Sequence, residues 1–356
     1  MYSMDYNSLS SKLSSAAGYL VDEAAEMDFQ KLASDSLTLL GSCDGLVCLS
    51  DYDKSSYGAD DICIWNPSTK EYKNIPMPPN SEHSNMDQGL YGFGYDDKIG
   101  DFKLVRVAEI PKPVGSSDGC EDGSVMRILT SISDITSEVK ASWVSSHSVV
   151  QIYTLGSNSW RTCQCQDMPY YFPDGIKPGV LVNGALHWYA VNKREYYEAI
   201  ISFDMTNEIF KEVARITGSM LHPVVCDYSI DYNNVSVLGG CLCILHKTYG
   251  VKVDVWVMQE YGVKESWTKK FTITQKSITE TGRLRIICEF QNNEIIFDTD
   301  TCLVYYDPNN NIDKRLRIHG ASMFQGAEQY VTSIVTLGSG TYVEKPKTRK
   351  RKSSEI

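Results

Sequence analysis

Two Cys-x-Cys pairs, Cys163/Cys165 and Cys241/Cys243, are the residues whose type and spacing come nearest to doing chemistry. On an extended strand, positions i and i+2 share a face, so each pair could begin a zinc site. Neither pair has a further Cys or His at finger spacing, and the six histidines are scattered along the chain. Cysteine is also a small buried hydrophobe. No metal and no cofactor is therefore expected. His187, beside Trp188, reads as a hydrogen-bonded strand histidine. Gly92-Phe93-Gly94 has glycines at a phosphate-loop spacing, but it lies between two strands with no helix after it, and a strand bulge is the expectation. The chain holds no Gly-x-Ser-x-Gly elbow, P-loop or dinucleotide fingerprint, and no two carboxylates pair as a glycosidase requires. Catalytic residues: none are expected.

Composition narrows the remaining classes. The 356 residues are 42% hydrophobic and 11% aromatic, with a formal net charge of −11. That content suits a large β-rich core. The negative charge disfavours nucleic-acid binding by the body. No apolar run reaches the ~20 residues that span a bilayer, so no membrane partner is expected. The N-terminus shows neither the basic nor the apolar region of a secretory signal. Eleven cysteines, an odd count set within apolar runs, favour reduced thiols and a cytoplasmic or nuclear setting. Lys345 to Lys352 forms a basic run. Lys347, Arg349, Lys350, Arg351 and Lys352 could serve nuclear import; the favoured reading is a solvated tail.

The elements that position these residues are short strands between turn dipeptides. Ser42-Cys43-Asp44-Gly45 leads into Leu46-Val47-Cys48-Leu49, and Ile62-Cys63-Ile64-Trp65 ends at Asn66-Pro67-Ser68-Thr69. Asp-Gly and Asn-Pro turn for backbone reasons. The unit recurs. An aromatic, a polar turn and a second aromatic seven residues on appear at Trp65/Tyr72, Tyr153/Trp160 and Phe203/Phe210. Trp256 and Trp267 repeat the pattern at eleven, and Tyr306-Asp307-Pro308 repeats its start. The first aromatics fall at intervals of 88, 50, 53 and 50, the longest with room for the Phe93/Leu104 hairpin as a copy. A period of 45 to 50 residues with about six copies marks an all-β propeller of antiparallel strands. Two β-sandwich domains are the alternative, which leaves the echo unexplained. Tyr2 to Asp5 and Tyr330 to Leu337 are the expected ring-closing strands. Residues 1–40 read as that first strand plus a loop, 41–337 as the propeller and 338–356 as the tail. Pro111 to Lys140 reads as a long insertion.

Gly41 to Leu49, Ile64-Trp65-Asn66-Pro67-Ser68-Thr69, Gly92 to Asp96, Val150 to Arg161, Val182 to Trp188 and Ile201 to Asp204 resemble, in order and spacing, the plant F-box-associated domain, type 1. The resemblance covers nearly the whole chain up to Leu337. It implies a kelch-like, galactose-oxidase-like propeller that recognises substrate for an SCF-type ubiquitin ligase. S-locus F-box proteins are similar. The implied partners are a protein substrate and, where an F-box is present in a longer form, a Skp1-type adaptor. The opening residues resemble the family's segment just after the F-box and leave no room for that module. The expectation is either a truncated product or fragment or a propeller that works without an F-box, with an F-box-less regulatory decoy or another propeller binding module as the alternative reading. A propeller enzyme is the rival from another class. Tyr57, Tyr170, Tyr171, Phe172 and Tyr249 are the expected partner contacts, because Tyr offers large contact area at little entropic cost. The Pro111 to Lys140 loop and the lengthened Trp256 to Trp267 turn differ from the other copies and are the expected seat of function.

Overall fold

The computed structural model describes residues 37–51, 61–79, 90–111, 146–163, 168–172, 178–192, 194–195, 197–215, 231–290, 292–299, 301–318 and 326–338, together with residues 2–3, 5, 9, 20–21 and 25–26. These form five antiparallel sheets arranged as the blades of a β-propeller. Blade 1 comprises strands Leu37–Cys43, Leu46–Asp51, Asp61–Asn66 and Glu71–Asn74. Blade 2 comprises Leu90–Asp96, Asp101–Pro111, Ser146–Thr154 and Ser159–Cys163. Blade 3 pairs Tyr170–Tyr171 and Val180–Val182 with Ala185–Asn192, then adds Glu198–Asp204 and Phe210–Arg215. Blade 4 spans Asp231–Leu238, Cys241–Thr248, Lys252–Met258 and Trp267–Ile273. Blade 5 spans Leu284–Glu289, Ile295–Thr299, Leu303–Asp307 and Ile312–Ile318.

Five blades stand where the period suggested about six. The Phe93/Leu104 hairpin is no separate copy: its second strand pairs with Ser146–Thr154, with Arg106 opposite Gln151. The interval of 88 is one blade step lengthened by residues 112–145, which include most of the expected insertion and lie outside the described residues.

The spacing of seven has a simple origin. Trp65 faces Tyr72, Tyr153 faces Trp160 and Phe203 faces Phe210 across the last hairpin of their blades. Blade 4 departs: a bulge between Val255 and Trp256 puts Lys269 opposite Trp256, and Trp267 faces Met258. The two tryptophans are therefore diagonal neighbours, not a pair.

The cores lie between blades. Ile62 and Ile64 pack with Tyr91, Phe93 and Tyr153 of blade 2, whereas Cys63 and Trp65 face the other way, against Val47, Leu49 and Tyr330. Successive side chains on a strand point to opposite faces, so one run serves two cores and must be apolar throughout. Gly92 shows how close the blades come. Its strand pairs regularly, without the expected bulge, and a Cβ there would sit 2.7 Å from Leu186 Cδ1.

Polar contacts cross the same seams. Lys103, 3% exposed, joins Asp96 of blade 2 to Glu208 (2.7 Å) and the Met205 carbonyl (2.8 Å) of blade 3. Burial raises the Asp96 and Glu208 pKa values, but bonds from Lys103, Thr206 and the Lys98 amide to Asp96, and from Arg161 and Lys103 to Glu208, outweigh it and hold both low.

Blades 5 and 1 close differently. Residues 326–338 run between them as a strap without ladder pairing, contrary to the strand expected at Tyr330 to Leu337. Side chains satisfy its backbone instead. Asn66, fully buried, donates to the Ser333 and Val335 carbonyls (3.1 and 2.7 Å), while its own oxygen accepts from the Ser68 and Thr69 amides. Buried Glu71 accepts from the Leu337 amide and the Thr336 hydroxyl, both at 2.9 Å. Glu328 accepts from Ser42 of blade 1 (3.0 Å) and Arg285 of blade 5 (2.8 Å). The Asp44–Gly45 turn bears directly on the strap: a Cβ on Gly45, at φ 83°, would meet Ser333 Cβ at 2.2 Å. The N-terminal pieces join the same region. Leu20–Val21 pairs in parallel with Arg317–Ile318, Leu9 enters the blade 5 core, and Ser3 bonds the Tyr330 hydroxyl. Tyr2–Ser3 pairs with Ala25–Glu26 and not with a blade, so it closes no ladder.

Two outcomes follow for unfolding in denaturant. Asn66→Asp keeps the turn acceptor but loses both donors and sets a carboxylate against two carbonyls. It should cost about 3 kcal/mol and speed proteolysis within 326–338. Lys103→Met leaves Asp96 and Glu208 facing each other in the seam and should cost about 3–5 kcal/mol.

Candidate recognition surface

Antiparallel order sorts the connections onto two ends of the ring. Turns between first and second, and third and fourth, strands lie at one end, here the turn end. The remaining connections lie at the other, the loop end. Among the described residues, exposed large apolar side chains gather mainly at the turn end: Ile99, Ile209, Tyr261, Val263 and Ile312, with Val331 and Ile334 on the strap. Tyr249 and Val251 stand at the loop end.

The expected contacts divide. Tyr249 is 46% exposed, with the Lys247 ammonium 5.4 Å from its ring centre. Tyr170 is half-buried; its hydroxyl donates to Glu212 (2.7 Å), which also accepts from Tyr197 (2.6 Å). Phe172 is a core residue packed edge-on against Trp188, so it offers no loop aromatic to a partner. Tyr57, the Tyr171 side chain and the run Lys347, Arg349, Lys350, Arg351 and Lys352 lie outside the described residues.

The lengthened turn of blade 4 is where the surface takes shape. It carries one short 3-10 turn, Lys264–Ser266, and it leans Tyr261 back onto blade 3. There Val180, His187, Ser202 and Lys211 form one row across the four paired strands. His187, 1% exposed, donates from Nδ1 to the Val180 carbonyl (3.2 Å), which leaves Nε2 to accept from the Tyr261 hydroxyl (2.8 Å). The rings meet edge to face at 5.5 Å. Burial drives the His187 pKa down to about 4, and burial with the nearby Asp204 charge raises that of Tyr261. A neutral imidazole is what this bond needs.

Sequence reasoning pointed to this turn but not to Tyr261, Val263 or Ile209. One signal was available: Tyr261-Gly262-Val263-Lys264 repeats Tyr249-Gly250-Val251-Lys252, so blade 4 carries the same four residues at both ends.

The cysteines give little chemistry. Cys43, Cys48, Cys63, Cys241, Cys243, Cys288 and Cys302 are free thiols, and burial pushes Cys43 up to about 12 and Cys243 higher. Metal binding needs the thiolate. Cys163 departs from the expected reduced state: it is disulfide-bonded, its partner outside the described residues. Among the described residues no group of three or more His, Cys, Asp or Glu could hold a metal ion, and no helix is long and apolar enough to cross a membrane.

Five antiparallel blades with interlocked seams make a β-propeller. Residues 1–344 match the F-box associated beta propeller domain, and the chain belongs to that family. An F-box protein of Arabidopsis thaliana is 31% identical over 303 residues, covering 79% of this chain and 66% of the relative. F-box protein CPR1 of Arabidopsis thaliana is 26% identical over 353 residues, covering 94% and 74%. The chain thus spans about two thirds to three quarters of these relatives, which are named F-box proteins. Among solved structures, SapL1 lectin aligns at 8% identity with a TM-score of 0.41, covering 80% of this chain and 81% of that one, a likeness too distant to carry functional meaning.

The low His187 pKa fixes a pH dependence. The unfolded chain takes up this proton near pH 6.5 and the folded chain near 4. Stability present above 6.5 is therefore lost as pH falls towards 4, by on the order of 3 kcal/mol. Denaturation measured across that window should show the loss, and His187→Gln should flatten it.

Proposed function

We propose that this propeller is the substrate-recognition module of an SCF-type ubiquitin ligase, acting in the cytoplasm or nucleus as a binding domain without catalysis of its own. The observation that carries the reading is an F-box associated propeller whose buried charges are spent on seams and turns, while aromatic and aliphatic side chains stand out on both ends. Such side chains, held on a rigid scaffold, supply contact area at little entropic cost. The partner is a protein, and a Skp1-type adaptor enters through an F-box joined to the propeller. Tyr249 remains a candidate contact at the loop end, beside the turn-end residues.

The chain joined to an F-box and combined with adaptor, cullin and ubiquitin-conjugating enzyme should transfer ubiquitin to proteins that the propeller recovers from its native tissue. Proteins bound yet left unmodified would refute the ligase reading.

A further inference from the structure

Three seams of the ring are latched by a cation from one blade's outer strand. Lys73 donates to the Leu155 carbonyl (3.0 Å), Arg161 pairs with Glu208, and Lys270 pairs with Glu289 (2.9 Å). Lys73 and Arg161 each directly follow the second aromatic of their blade, Tyr72 and Trp160. Lys211 follows Phe210 in the same way, and Ser202 faces it across the strands as Ile64 faces Lys73 and Ile152 faces Arg161. Yet Lys211 crosses no seam. The blade 4 turn has taken over that junction through Tyr261 and His187. Lys211 is exposed, and among the described residues its ammonium makes no hydrogen bond or ion pair; its charge helps keep Asp204 below the usual carboxylate range.

The row Val180–His187–Ser202–Lys211 sets this cation two strands from His187, the residue that Tyr261 bonds, with Ile209 two residues from Lys211 and Val263 two residues from Tyr261, 51% and 40% exposed. Glu260 and Glu265 are exposed on the blade 4 side and Asp204 lies near both Tyr261 and Lys211 on the blade 3 side, so an acidic group would pair with Lys211 in competition with Asp204.

Building on the recognition reading, we propose that the turn end of the blade 3–4 seam binds a protein segment carrying an acidic side chain next to an aliphatic or aromatic one. The carboxylate pairs with Lys211, and the apolar side chain lies against Tyr261, Val263 and Ile209. Complementary charge at such a rim sets specificity more than affinity. The Tyr249–Lys252 tip provides a matched comparison, since its identical four residues sit at the opposite end and its lysine is already bonded to Asp254 (2.7 Å).

The test uses the full chain and an array of 12-residue peptides bearing Asp or Glu beside Leu, Ile or Phe, with Lys-for-acid counterparts. The acidic peptides should be retained preferentially. Lys211→Glu and Val263→Asp, both at exposed positions, should each weaken retention about fivefold, while Val251→Asp at the other tip should leave it unchanged. A diazirine-bearing acidic peptide on the unaltered chain should label residues 205–211 and 259–266. Labelling at 247–252, equal loss with Val251→Asp, or no preference for acid would overturn the proposal. Ubiquitin transfer to recovered partners, a separate readout, would in that event leave the ligase reading standing.

Discussion

Ring closure is the constraint on which the rest depends. Each blade presents apolar side chains on both faces, and a sheet of that kind is stable in water only between neighbours. Four seams form because consecutive blades follow one another in the chain. The fifth must join its two ends, and here it does so through a strap whose carbonyls and amides are read by side chains. The Asn66 amide meets two carbonyls two residues apart, a spacing at which extended chain turns both to the same side. Glu71 and Glu328 complete the clasp. Asp204 and Asp307 occupy the corresponding turns of blades 3 and 5 and cap their own loops. A carboxylate suffices there; the strap requires the amide's donors.

The closure explains what otherwise reads as irregular. Tyr330 to Leu337 has the alternation of a strand, but its backbone bonds to the side chains of Asn66, Ser68 and Glu71 instead of to a sheet edge. The N-terminal residues then cover the outer side of blade 5, with Leu20–Val21 against its last strand and Leu9 in its core. An exposed edge invites pairing with another chain. Covering this one protects the junction that has the least strand-to-strand contact.

Much of this was legible because its causes are local. The turn dipeptides and the two-sided apolar runs mark blades without any knowledge of their neighbours. The blade number was less legible, because a strand pair interrupted by residues 112–145 looks the same in sequence as a complete small unit. The bulge at Trp256 was also hidden: spacing counts residues, whereas pairing depends on backbone geometry that no residue type near Val255 announces. Phe172 failed as a surface candidate for a related reason, since its burial is decided by Trp188 in another strand.

The surface was least legible of all, and the cause lies in how a repeat distributes its residues. Lys73, Arg161 and Lys211 hold equivalent positions, so equivalence alone assigns them one role. What separates Lys211 is the length of a turn some fifty residues later in the chain, which brings Tyr261 across the seam and occupies the place a latch would take. A repeat architecture keeps its scaffold positions alike and varies where one insertion changes the contacts of a neighbouring blade. In this ring a bond between two neutral groups, buried His187 and exposed Tyr261, replaces a charged latch. Replacing it leaves the seam closed and puts a cation on the outside.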